Sequence, residues 1–470
     1  MVGPIAVNSA RWKRKDGDLV PRKDGEGVRV DELNGADIKN APADLALAAD
    51  GSGGLRFIDL SYASDAYGVC YDLDTGEFTR LGTLAAISAT YDTSYKPLSN
   101  VPDLLLPIQR NMRRCLLKDD RTVNYYCSAT DTTKKANGEA AVLDGTDGQV
   151  MVEIPAHWWK FERIGNKLYW WVAPTEKTGY GWNYFPKNYY GTYEGQLYDH
   201  SAGSIVGGQG GADTANDKLC SVSGVEAHTD ETIVEYRDIA TNRGTGWYQQ
   251  ANHIDAAVAR LYLIEYASFD TQSKISEGLT NASSGDWGAY NGYCPLHAAG
   301  ITNSLGNTSG EVALNIENFV DGTGTLSTQA MSYRGIENWY GHLWKWLDGA
   351  NVHNSLASGS RLYLCSDPAN FASDTSTNYE LVGTLPQTAN YYDVLPLDNG
   401  FYPSTTVKGS TTGLCDYFYT AYPAEGWRVV AVGGRANYGV PAGAFCVLSY
   451  YDSSYGTSSL GGRLCAAAGE

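Results

Sequence analysis

The stretch GWRVVAVGGRANYGVPAGAFCVLSYYDSSYGTSSLGGRLCAA, Gly426–Ala467, sorts into two interleaved sets of positions. A framework of mostly small or apolar residues, Gly433, Gly434, Gly443, Phe445, Val447, Leu460, Gly461 and Arg463, alternates with Arg435, Tyr438, Val440, Leu448, Tyr450, Tyr451, Tyr455, Gly456, Thr457 and Ser459. Tyr, Ser, Gly and Thr at exposed positions suit recognition: rigid rings supply contact area at low entropic cost, and small residues adapt around them. Most of the second set belongs to this vocabulary. A plainer reading makes Tyr450 and Tyr451 one inward and one outward strand residue, because successive strand side chains point to opposite faces.

Further upstream, Ile254–Glu265 places apolar residues at 254, 257, 258 and 261, which predicts a helix with one stripe facing a core. A second helical stretch is expected around Asp230–Ala240. The rest of 115–470 consists of short aromatic strands and long Gly/Ser/Asn loops, an α+β domain with much irregular structure. Within 55–114, the runs RFIDLSY, GVCYDL and EFTRLG read as strands of a small β-rich module, with a turn at Asp72–Gly76. Residues 1–54 (KRKDGD, RKDGEG, ADGSGG) carry too little apolar periodicity to hold a core and read as a flexible or partner-ordered attachment segment. At roughly 150 residues per domain, a chain of 470 residues accommodates this division.

The net charge of −18, from Lys+Arg 35 against Asp+Glu 53, repels phosphate backbones and anionic lipid, so neither nucleic acid nor a membrane surface is the expected partner. No apolar run approaches a membrane span. The start MVGPIAVNSARWKRKDGD puts charges where a signal peptide would be apolar, so nothing there resembles one. The content of 34 Tyr, 12 Trp and 53 Gly against 4 Met suits a loop-rich recognition protein. Nine scattered cysteines form no C-x-x-C and no Cys/His cluster, and read as reduced, buried thiols, with one or two bridges left open.

No dinucleotide, P-loop, zincin or nucleophile-elbow motif occurs. Paired carboxylates need no local motif, so Asp144/Asp147, Glu153 and Glu337/Asp348 are available to a glycan hydrolase. Nothing singles out one pair among 53 acids. His253-Ile-Asp255 reads as a cap or surface feature near a helix start. The expectation is binding without catalysis, cofactor or metal ion.

Several phrases carry a resemblance. VLDGTDGQVMVEIPAHWWKF (Val142–Phe161), NRGTGWYQQ (Asn242–Gln250), LYLIEYASFDTQ (Leu261–Gln272) and YRGIENWYGHLWKWLDG (Tyr333–Gly349) resemble tail or receptor-binding proteins of bacteriophages, as does AYGVCYDLDTGEFTRLG before them. The match covers roughly residues 60–470. From Gly426 the chain is similar to the end of the C-type lectin fold of the formylglycine-generating-enzyme type, marked by a G-N-V-W-E-W-like strand and a terminal G-G-S-W…G-F-R-L-A. It most resembles the variable proteins of diversity-generating retroelements, in which adenine-specific replacement turns AAC codons into any NNC codon. NNC codons cannot encode Lys, Glu, Gln, Met or Trp, and Arg428–Gly469 contains none of them, although Leu347–Tyr379 also lacks them.

The resemblance makes 426–466 the variable region and the second set above, Arg435 to Ser459, its candidate ligand-binding residues, held by a rigid β scaffold as one solvent-facing patch; it places Trp339, Trp344 and Trp346 in a scaffold strand, as core, and Trp158, Trp159, Trp170 and Trp171 read as core or inter-domain packing. Two departures bear on the related enzymes. Phe445 and Val440 stand where the oxidase branch carries its copper-binding cysteines, and Lys345 stands where a Glu helps to bind calcium, although Asp321-Gly-Thr-Gly is another oxygen-rich loop. The implied function is that of a phage tail-tip or tail-fibre receptor-binding protein, located in the virion and made in the bacterial cytoplasm. Its partners would be a host-surface protein or glycan and, through the N-terminal region, other tail proteins. A homotrimer is left open, with no heptad in the chain to build one. The rival expectations are a tail-associated glycan hydrolase, a diversified bacterial adhesin and an undiversified structural tail protein.

Overall fold

A computed structural model describes residues 65–91, 99–179, 181–282, 295–320, 324–394, 401–408 and 416–469, together with strands at 12–15, 18–21, 32–33, 36–37, 45–49 and 55–59. The attachment segment expected at 1–54 lies largely outside the described residues. What is described there consists of antiparallel pairings, Trp12–Lys15 with Asp18–Pro21, Glu32–Leu33 with Ala36–Asp37, and Leu45–Ala49 with Leu55–Asp59.

The strand Trp344–Ser355 organises the largest sheet. Trp344 and Trp346 project to one face, and a register shift between Leu347 and Asn351 then lets Asn351 and His353 take up the same face. Gly349 permits that bulge: at φ 71° a Cβ would lie 2.5 Å from the Cys365 carbonyl oxygen. The strand pairs antiparallel with Gly426–Val432 on one side and Gly359–Leu364 on the other. From Gly426–Val432 the sheet continues through Val447–Ser449 and Tyr417–Thr420 to Asn390–Val394.

A second sheet has six strands in the order Val123–Tyr126, Arg113–Leu117, Gln149–Ile154, Asn188–Gly191, Leu464–Ala467, Trp247–Gln249. A third has five, Asn183–Phe185, His157–Ile164, Lys167–Ala173, Tyr67–Asp72 and Glu77–Gly82. Two strands of the third sheet come from the segment 55–114 and three from beyond residue 115. Tyr67–Asp72 pairs along its length with Lys167–Ala173, and Arg113–Leu117 crosses the expected boundary into the second sheet. A two-stranded hairpin is marginal alone, so the sheet is completed by strands from beyond residue 115.

Both expected helices form, at Ile233–Thr241 and Asn252–Tyr266. The first opens with a capping box, Thr232 and Glu235 each accepting from the other's backbone. The second differs from the one-stripe expectation. Ile254, Ala257, Val258 and Leu261 are fully buried, but so, nearly, are Arg260 and Glu265. The reason is its position between the central strand and the third sheet, which covers it on more than one side. Its polar residues are matched locally: Arg334 binds Glu265 at 2.6 Å, and Arg260 lies 4.0 Å over the Trp159 ring.

The molecule is mostly β, 12% helical and 40% strand, which agrees with an α+β class. Among the described residues no helix is long and apolar enough to cross a membrane. Seven cysteines, Cys70, Cys115, Cys127, Cys220, Cys365, Cys446 and Cys465, are buried; Cys294 and Cys415 lie outside the described residues.

Trp339, Trp344, Trp346 and Trp170 are core as expected, whereas Trp158, Trp159 and Trp171 are half-buried. Trp344→Ala is expected to destabilise the protein by about 3–5 kcal/mol, read from urea denaturation, because it empties a site bounded by Tyr419 and Tyr438. Burial also pushes His253 down to about 4 and His157 down to about 3, so both are neutral in the folded chain. Unfolded histidine takes its proton near pH ~6.5, so between there and pH ~4 the unfolded state binds protons that the folded state refuses. Stability should therefore fall as pH falls through that window, by roughly 1 kcal/mol per pH unit for each histidine, and His253→Gln should make the fall in Tm shallower.

Candidate functional site

The framework residues of the 426–467 segment are buried as expected, and each has a physical reason. Arg463 is fully buried and donates from Nη1 to the carbonyls of Gly191 and Thr192, at 2.9 and 3.1 Å, and from Nη2 to those of Glu337 and Asn338, at 2.8 and 2.9 Å. Gly443 has φ 156°, and a Cβ there would lie 2.2 Å from Asp416 Oδ1. The same carboxylate accepts from the Phe445 amide at 2.6 Å, which fixes the turn before Val447–Ser449; burial pushes the Asp416 carboxyl well up.

On this frame one face of the large sheet carries a band of aromatic side chains. Registers place Tyr391 opposite Tyr417, Tyr419 opposite Leu448, Leu448 opposite Ala431, and Ala431 opposite Trp346. The rings of Tyr417 and Tyr419 are 4.5 Å apart, and Tyr438 lies 5.4 Å from both Tyr419 and Trp344. The Arg435 guanidinium lies 4.8 Å over the Tyr438 ring and donates to Ser459 Oγ at 3.0 Å. Beside these, Tyr451 stacks on Tyr455 at 3.7 Å with 6° between planes, and Tyr450 meets Tyr451 edge-on at 5.3 Å. The loop is held by backbone: Val429 donates to the Tyr451 carbonyl at 3.0 Å, and Asp452 accepts from the amide and hydroxyl of Ser454. Burial, with Tyr455 as neighbour, pushes the Tyr451 hydroxyl up.

The expected set thus divides. Arg435, Tyr438, Tyr450, Tyr451 and Tyr455 gather into one group; Tyr450 is 52% exposed and the other four are half-buried. Val440 is 53% exposed, on a turn anchored by Gln272, which donates to the Gly439 carbonyl at 2.9 Å. Leu448 and Ser459 correct the expectation. Leu448 lies on the tyrosine face, in register with Ala431 and Tyr419, yet is 3% exposed because half-buried tyrosine rings pack over the cluster it belongs to, and Ser459 is 4% exposed because its carbonyl accepts from the Trp344 amide and its hydroxyl from Arg435. Thr457 is half-buried, and its carbonyl accepts from Leu460. Gly456 is tightly placed, since a Cβ would lie 3.1 Å from the Asp230 carbonyl oxygen. Tyr450 and Tyr451 prove to be one exposed and one half-buried residue, between the two readings of the sequence.

Sequence reasoning missed Tyr417 and Tyr419. The signal was present in YFYT, where Phe418 is fully buried and its neighbours face the other way. It also missed Trp427, which joins His353 at 4.7 Å and Tyr363 at 5.6 Å farther along the same sheet face.

The acidic pairs are engaged in holding the fold. Glu337 accepts from the amides of Gly300 and Thr302, Asp348 makes a two-point pair with Arg237, and Glu153 takes the Tyr126 hydroxyl. Asp144 caps the turn at Thr146, and Asp147 accepts from Tyr125. Asp255 is a buried acceptor for Tyr190, Gln250 and Trp339, where a cap or surface role was expected; burial pushes its carboxyl up, and His253 beside it is half-buried against Tyr248. The residues around Lys345 do not fit a calcium ion, because the Lys345 ammonium itself lies 3.0 Å from the Glu194 carboxylate and donates to the Gly341 carbonyl at 2.8 Å. His342 supplies the second neighbour of Glu194; its Nε2 accepts from the Leu296 amide, so its proton is on Nδ1, facing the carboxylate. The loop Asp321-Gly-Thr-Gly lies largely outside the described residues.

The tyrosine group predicts a contrast in stability. Tyr450→Ser should change the unfolding free energy by less than about 0.5 kcal/mol, as an exposed substitution. Tyr451→Ser should cost about 1–2 kcal/mol, because it removes a stacked ring and its packing on the core. Urea denaturation of the two variants checks both. No protein family matches the chain, and no curated protein matches it either.

Proposed function

We propose that this chain is a phage tail-tip or tail-fibre receptor-binding protein that recognises a host-surface ligand through a diversified surface at 426–466, on a C-type-lectin-like fold. The observation that supports this reading most is the division of labour within that segment. Its backbone course is fixed by buried groups, Arg463, Gly443 and Phe445, while Tyr450, Tyr451, Tyr455, Tyr438 and Arg435 collect beside one another at the surface. Exposed side chains on a fixed backbone can change without loss of fold, which is what diversification requires. Flat rings with hydroxyl edges bind protein or glycan alike, and several copies on one virion would raise modest single-site affinity by effective concentration. The group holds no acid pair aimed at a common point, so binding accounts for it better than catalysis.

Sequencing the DNA beside the gene tests the proposal at its root. A near-identical copy of the 426–466 coding segment, differing at adenines and accompanied by a reverse-transcriptase frame, is the expected result; absence of any such copy removes the basis for diversification. On the protein, Tyr450→Ser combined with Arg435→Ser should lower binding to host cells by tenfold or more, a loss of at least about 1.4 kcal/mol, with Tm unchanged within a few degrees. Undiminished cell binding would place recognition elsewhere.

A further inference from the structure

A cleft of about 750 Å³ lies between the hairpin tip of the third sheet and the C-terminal end of the long helix, and shares no lining residue with the tyrosine group. Its size is that of a small-molecule site. Three rings line it together: Tyr71 and Phe78 are 4.7 Å apart, and each lies 5.1 Å from Phe269. Phe269 is 4% exposed and is held from behind by Trp170 and Phe445, so this side of the cleft is preorganised. Four carboxylates stand around these rings, Asp74 and Glu77 exposed on the hairpin and Asp270 and Asp393 half-buried opposite. One cation accompanies them, Lys274, whose ammonium lies 4.3 Å over the Tyr91 ring. The hairpin tip is itself fixed, since Asp72 accepts from the Asp74 amide at 2.9 Å and Asn166 donates to Asp74 at 2.9 Å.

The half-buried rings of Tyr71 and Phe78, backed by Phe269, offer apolar surface to the C–H faces of a pyranose, and carboxylates accept short, charge-assisted hydrogen bonds from its hydroxyls. With four carboxylates against one ammonium, the same walls repel acidic ligands. We infer that this cleft is a second binding site, separate from the tyrosine surface, that takes a neutral oligosaccharide of two or three residues. It is built from residues outside 426–466, so its specificity is fixed while the tyrosine surface varies.

Titration calorimetry of the full chain against linear trimers of glucose, mannose, galactose and N-acetylglucosamine, with a galacturonate trimer as the acidic control, tests it. At least one neutral trimer should bind with a micromolar to millimolar Kd, and galacturonate should not. Phe78→Ala should weaken that binding by about tenfold or more and Glu77→Gln severalfold, while Tyr450→Ser leaves it unchanged. If Phe78→Ala fails to fold, Asp74→Lys with Glu77→Lys on the exposed tip serves in its place, with the same loss expected. The inference is overturned if no neutral trimer binds, if galacturonate binds as well, if the cleft variants bind like the unaltered chain, or if Tyr450→Ser abolishes the binding. These results are independent of host-cell binding through the tyrosine surface, so either reading can fail alone.

Discussion

The buried guanidinium of Arg463 is the constraint on which the rest hangs. Its four hydrogen bonds run to backbone carbonyls of two distant segments, 191–192 and 337–338, and join the end of the chain to the second sheet and to the approach of the central strand. A buried charge is costly unless it is hydrogen-bonded, and here both Nη atoms are met by main-chain carbonyls, which no substitution of a side chain can remove, while Nε has no hydrogen-bond partner. The arrangement therefore fixes where the chain runs after the tyrosine loop without using the loop's own side chains. Gly443 and Asp416 do the same before it.

This separation explains what the sequence made legible. The framework could be read because small or apolar residues at 433, 434, 443, 445, 447, 460 and 461 leave little choice but burial, and all are buried. Both helices were expected from the sequence, the longer one from the spacing of its apolar residues. The burial of Leu448 was not, because it follows from rings such as Tyr419 that cover its face, contacts set by register between strands apart in sequence. The pairing of Tyr67–Asp72 was hidden for the same reason: its pattern shows a strand, yet its partner at 167–173 lies about a hundred residues away.

The interior is unusually rich in charge for a chain with so negative a balance, and the pattern is consistent. Glu194 between His342 and Lys345, Glu265 with Arg334, and Asp348 with Arg237 each sit where two sheets or a helix and a sheet meet. A buried pair contributes little net stability once desolvation is counted, but breaking one is expensive. Such pairs act as registry marks between layers, and they account for acids that sequence reasoning could only count as available.

The strand Leu464–Ala467 has a consequence for how the protein comes into being. It is hydrogen-bonded on both flanks, to Asn188–Gly191 and to Trp247–Gln249, inside a six-stranded sheet. During synthesis those two neighbours wait for more than two hundred residues with a gap between them, and the gap closes only when residue 467 has left the ribosome. A frameshift or stop codon arising in the tyrosine loop deletes the closing strand and leaves two unpaired edges, a form open to proteases and to aggregation. The fold thus screens its own coding errors: chains that reach a finished structure have read through the loop in frame.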